Sequence, residues 1–129
     1  VTAYSPLKKV AGMIHVVLPS PLNDRDWIRR PCFFAKSGIP LLIDVMYRQF
    51  GCRKEELQVQ IYGGAESVQN MDIYNIGKKN IEAVKRTLSD LGLIIQRTDL
   101  SGYDSRSLSM EVQSGTVLVH RQPIVRRIV

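Results

Sequence analysis

The chain has 129 residues, 44% of them apolar and 23% charged, which suits one domain able to bury a core and excludes a disordered chain or a disulfide scaffold. No apolar run reaches the ~20 residues needed to cross a bilayer, so no membrane insertion is expected. The net charge of +6 comes from 18 basic and 12 acidic residues. These are scattered, without zinc spacing, a stacking motif or a helix-turn-helix pattern, so nucleic acid is not an expected partner.

The first residues alternate like a strand and do not read as a signal peptide, so a cytoplasmic location is expected. The chain starts on Val1 and not on Met, which reads as processing, truncation or a fragment. Residues 1–4 and 10–18 read as two strands joined by the turn Ser5-Pro6-Leu7-Lys8. In the second strand Val10, Gly12, Ile14 and Val16 share one face, and Ala11, Met13, His15 and Val17 share the other. Both faces are largely apolar, so this strand is expected to be central and covered on both sides. Pro19 and Pro21 end it.

Residues 23–31, polar around Trp27, read as a loop. Residues 33–50 carry Ile39, Leu42, Ile43, Met46 and Phe50 at helical spacing. Ser37 is the expected cap, Pro40 falls in the expected first turn, and Gly51 closes the helix. Residues 57–62 alternate as a strand, and Gly63-Gly64-Ala65 follow at once. Asn75 is the expected cap of a second helix, with Ile81, Val84, Leu88 and Leu91 as its buried stripe and Gly92 as its stop. Residues 93–99 read as a strand. Residues 107–113 and 116–122 form a hairpin around Ser114-Gly115, and residues 123–129 add a last edge strand. The expected fold is a single α+β domain over residues 1–129. It is a layered sandwich of mixed, mostly antiparallel sheet flanked by about two helices.

His15 is the first candidate for chemistry. Imidazole titrates near neutral pH and suits proton transfer, though a histidine in a strand also serves as a structural residue. Gly63, Gly64 and Ala65 form either a plain turn or a stretch of backbone N–H groups able to bind a substrate amide. The segment Asn75 to Asn80 is a helix start with a possible place at a site. Arg106 reads either as solvated or as a holder of an acidic or amide group. Cys32 and Cys52 lack metal spacing and read as free thiols, and His15 and His120 are too isolated for a metal site. No metal and no cofactor is expected.

Three segments, read together, resemble the CheD family, the chemoreceptor glutamine deamidases of bacterial and archaeal chemotaxis. They are Lys9-Val-Ala-Gly-Met-Ile-His15-Val-Val-Leu-Pro19, Gln60-Ile-Tyr-Gly-Gly-Ala65 and Asn75-Ile-Gly-Lys-Lys-Asn80-Ile-Glu-Ala-Val84. The hairpin of residues 107–121 fits as well, and order and spacing agree over essentially the whole chain. The resemblance implies an α/β sandwich related to bacterial deamidating toxins. It implies hydrolysis of receptor glutamine side chains to glutamate, without metal or cofactor, at a Cys–His–Thr site.

His15 matches the family's catalytic histidine. By the family's spacing the cysteine, which closes a Gly-Ser-Cys turn, and the threonine before it fall upstream of Val1. The chain as given is therefore expected to lack its nucleophile. The implied partners are chemoreceptors and CheC, the phosphatase of the chemotaxis response regulator. A non-catalytic module that binds CheC or receptors is the alternative. Ser101-Gly102-Tyr103 and Ser105-Arg106 depart from the family's Gly-Gly and Gly-Arg, and the loop with Trp27 is individual to this chain.

Overall fold

Alternating side chains at the start of the chain and after residue 57 build the centre of the molecule. A computed structural model describes residues 1–66 and 74–123. Strand β1 (Thr2–Ser5) pairs antiparallel with β2 (Val10–Met13) on one side and with β3 (Gln58–Gly63) on the other. β3 runs parallel to β4 (Ile95–Leu100), giving a four-stranded sheet in the order β2-β1-β3-β4. β5 (Asp104–Met110) and β6 (Val117–Pro123) form a separate antiparallel hairpin. Three α-helices accompany them: α1 (Asp24–Arg29), α2 (Ala35–Phe50) and α3 (Ile76–Asp90). The layout is α+β with mixed, mostly antiparallel strands, as the sequence implies.

The sheet's period of two divides its faces. Ala3, Val59 and Ile61 are buried in one core cluster with Ile39, Ile43 and Met46 of α2 and with Val84 and Leu88 of α3. Tyr4 is also buried, and it meets the hairpin: its Oη lies 2.7 Å from Val112 O and 2.9 Å from Gln113 O. Gly115 abuts the Tyr4 ring, where an added Cβ would come within 2.4 Å of Cδ2. Helices, sheet and hairpin thus form successive layers. Helix α3 is the crossover between the parallel strands β3 and β4, which a parallel pair requires. Among the described residues, no helix is long and apolar enough to cross a membrane.

Several expectations are corrected. The strand expected over residues 10–18 ends at Met13, and it lies at the sheet edge rather than the centre. Beyond it, Val17 N and Leu18 N turn to Phe33 O at 2.9 and 3.2 Å instead of a strand partner. At this edge the face that carries Met13 and His15 is exposed. Residues 23–31 are not all loop, because α1 forms there. The Asn23 side chain accepts from Asp26 N at 2.9 Å, Asp24 and Asp26 occupy the first turn, and Arg29 occupies the last. Those charges suit the helix dipole.

Ser37 is not the cap of α2, which starts earlier. The orphan N–H groups of Ala35 and Lys36 are taken by Leu18 O and Pro19 O, each at 3.0 Å, so no side-chain cap is needed. The Ser37 hydroxyl instead donates to Pro31 O at 2.6 Å, in a 3₁₀ turn of Pro31–Phe33. Pro40 consequently falls beyond the first turn, and Phe50 is half exposed rather than part of the core. Gly51 does close the helix, in the left-handed conformation at φ 70°.

Asn75 precedes α3 in left-handed backbone and makes no side-chain cap bond. Both hairpin strands lie further from the turn than expected, β5 ending at Met110 rather than at residue 113 and β6 starting at Val117 rather than at residue 116. Their connection is closed by Glu111 N to Thr116 O at 2.9 Å and Gly115 N to Glu111 O at 2.7 Å. Of the expected last strand, Pro123 ends β6 and residues 124–129 lie outside the described residues.

Candidate active site

The segment that follows β2 carries His15 to the wall of a cavity of about 780 Å³. Gly63, Gly64 and Ala65, at the end of β3, line the same cavity, as do Val1, Tyr62, Asn80 and Arg106. His15, the glycine turn and Arg106, singled out separately in the sequence, therefore line one cavity; of the segment Asn75 to Asn80 only Asn80 does. A second cavity, about 480 Å³, lies against Pro40, Tyr47 and Leu91 and includes none of them.

His15 is exposed and stands between two fixed backbone points. On one side Val1 N donates to Ile14 O at 3.0 Å and Ile14 N donates to Val1 O at 2.9 Å, which extends the β1–β2 register by one pair. On the other, Val17 N bonds Phe33 O and Val17 O accepts from Asn80 Nδ2 at 2.9 Å. The imidazole thus projects from a short segment held at both ends.

The glycine wall is shaped by backbone that only glycine adopts easily. Gly63 has φ 108° and Gly64 has φ 66°. An added Cβ on Gly64 would meet Ile81 of α3 at 2.5 Å, so α3 packs directly against this turn. The turn is tied to the loop after β4 by Ser101 N to Gly63 O at 2.9 Å and Glu66 N to Gly102 O at 2.7 Å.

Arg106 is not solvated. Its side chain is 4% exposed, and its guanidinium donates to Ser101 O at 2.7 Å, Asp104 O at 3.0 Å and Asp99 Oδ1 at 3.3 Å. Asp99 also pairs with Arg121 of β6. The arginine joins β4, the following loop and the hairpin into one wall. Tyr62 donates to Gln60 Oε1, and burial pushes its phenol up from the ordinary value, so it remains a neutral hydroxyl at the cavity.

Cys52 is buried in the core and Cys32 is exposed on the 3₁₀ turn, both as free thiols. Neither lines the cavity, and His120 lies apart on β6. Among the described residues, no group of three or more His, Cys, Asp or Glu side chains is placed to hold a metal. The sequence marks the segment Asn75 to Asn80 but not the bond from Asn80 to Val17. Its signal is the helical spacing of Gly77, Asn80, Ile81 and Val84, which puts an amide on the partly buried face of the helix.

A family described as CheD chemotactic sensory transduction matches residues 17–121, which takes in the glycine turn, Asn80 and Arg106. The chain is 43% identical over 122 residues to a probable chemoreceptor glutamine deamidase CheD of Syntrophotalea carbinolica, covering 92% of this chain and 75% of that one. It is 36% identical over 117 residues to a protein of the same name from Methanococcus maripaludis, covering 90% and 74%. It is 32% identical over 116 residues to the chemoreceptor glutamine deamidase CheD of Thermotoga maritima, covering 90% and 71%.

Proposed function

The chain belongs to the CheD family, and on that membership we propose that it acts in chemotaxis, hydrolysing glutamine side chains of methyl-accepting chemoreceptors to glutamate and ammonia. The observation that carries the site assignment is the shared cavity of His15 and the Gly63–Ala65 turn. His15 is the general base and acid. The backbone N–H groups of Gly63, Gly64 and Ala65 bind the substrate amide.

The nucleophile is a cysteine thiol from the segment that precedes Val1 in the family's arrangement. The register supports this. Val1 pairs with Ile14, so a residue before Val1, continuing the antiparallel ladder, stands opposite His15. A thiolate there attacks the carbon of the glutamine carboxamide while His15 holds the thiol proton. Negative charge on the carboxamide oxygen is stabilised by backbone N–H donors. The imidazolium gives its proton to the nitrogen, the C–N bond breaks, and ammonia leaves a thioester. His15 then takes a proton from water, which attacks the thioester. The thiolate leaves and glutamate remains.

A receptor fragment incubated with the full-length protein should release ammonia and gain glutamate at defined glutamines. A well-folded full-length protein that does neither overturns the proposal. Action on the signalling part of a chemoreceptor supports a cytoplasmic location for the protein. Binding of CheC is a second reading, favoured by exposed Leu22, Trp27 and Ile28 in and just before α1. Retention of CheC by the full-length protein checks it, and loss of retention in an Ile28→Glu variant maps the contact.

A further inference from the structure

Helix α3 presents one half-buried amide beside its buried stripe, and that amide reaches across to the histidine segment. Asn80 Nδ2 donates to Val17 O at 2.9 Å, joining α3 to residues that no strand holds. The other half of the amide is left out. Asn80 Oδ1 is excluded from solvent and has no hydrogen-bond partner among the described residues. A buried acceptor without a donor is destabilising, so stability alone does not favour an asparagine here. What the residue provides is its donor, directed at one carbonyl two positions from His15.

We propose that Asn80 is the positioning residue of the site, its amide nitrogen fixing the Val17 carbonyl and, through it, the place of the His15 imidazole in the cavity. This rests on the reading of His15 as the acid–base group. The same helix also holds the opposite wall. An added Cβ on Gly77 would lie 2.6 Å from Gly64 O, and one on Gly64 would lie 2.5 Å from Ile81. Helix α3 is therefore the common platform of the glycine turn and of the histidine segment. Asn80 is its link to the second. Small displacements of a proton-transfer group carry large rate penalties, which is why one hydrogen bond at this point matters.

The test uses the full-length protein and a receptor fragment. Asn80→Ala removes the amide, and Asn80→Asp keeps its shape without the donor. Both should lower kcat on the order of 10- to 100-fold, with KM changed by no more than about two-fold. The imidazole signals in NMR give an independent readout, with His15 assigned by its loss in His15→Ala and His120 by its loss in His120→Ala. Signals of His15 should shift in both variants while those of His120 stay fixed. Unchanged kcat with unchanged His15 signals overturns the proposal. So does a rise in KM at constant kcat, or a rate loss in which both histidines shift together through general unfolding. If His15→Ala retains full activity, the acid–base reading fails by itself, and the His15 signals still decide whether Asn80 positions that segment.

Discussion

Gly77 stands so close to Gly64 that a methyl group at position 77 would lie 2.6 Å from the Gly64 carbonyl oxygen. It would also lie 2.7 Å from Ala65 O, and both obstacles are backbone, which cannot swing aside. Gly77→Ala and Gly64→Ala should each cost about 1–3 kcal/mol, the first by forcing α3 off the turn and the second by adding left-handed backbone strain. Gly102, at φ 71° with open space around it, is the control. Gly102→Asn should cost less, because asparagine tolerates that conformation. Chemical denaturation of the variants checks the order. Equal midpoints for Gly77→Ala and the parent protein would show that the close approach is not rigid.

Arg106 should behave as a buried tie. Arg106→Ala leaves the Asp99 carboxylate to Arg121 alone and strips the Ser101 and Asp104 carbonyls of their donor. Hydrogen bonds to charged groups suggest a loss of ~1.5–3 kcal/mol. Hydrogen exchange should rise in β5 and in the loop after β4 before it rises in α2. A variant as stable as the parent would return Arg106 to the role of a surface charge.

The turn between β1 and β2 carries a pH dependence of known sign. The Ser5 hydroxyl, at 2.8 Å, holds the Glu56 carboxyl below the ordinary carboxylate value, and the Lys8 ammonium at 3.3 Å adds to this. A carboxyl lowered in the folded state stabilises the fold above its unfolded pKa, and that contribution is lost as pH falls through the folded pKa. Glu56→Gln should therefore lower the melting temperature at neutral pH, and the two proteins should converge in acid. A gap that persists unchanged into acid would assign the effect to packing.

Much of this architecture was legible because it rests on local chemistry. The alternation of residues 57–62, the stripe of Ile81, Val84 and Leu88, and the glycine stop at Gly51 each express one period or one backbone need. Position in the sheet was not legible. The apolar residues around His15 suggest a central strand, but Val17 and Leu18 bond to the Phe33 carbonyl at the end of a 3₁₀ turn, a partner no local pattern announces. The start of α2 was hidden for the same reason, since its first N–H groups are served by Leu18 and Pro19 from elsewhere in the chain.

At the site, His15 and Gly63–Ala65 were picked out separately, by type and by motif. The sequence leaves Arg106 either solvated or holding an acidic or amide group, because its three acceptors come together only when β4 and the hairpin meet. Asn80 is named only within the segment Asn75 to Asn80, because nothing local distinguishes the residue that reaches the Val17 carbonyl from its neighbours in the helix start.

His15 is exposed, so replacing it should leave the fold intact while removing the proton-transfer group. The most direct measurement is the rate of glutamine-to-glutamate conversion in a receptor fragment, followed by mass spectrometry, for the full-length protein and its His15→Ala variant. The variant should keep the parent's melting temperature and lose activity on the order of 10²- to 10⁴-fold, the span that general acid–base catalysis supplies. A folded variant that deamidates the same glutamines at the parent's rate would contradict the assignment of His15 and of the cavity it faces.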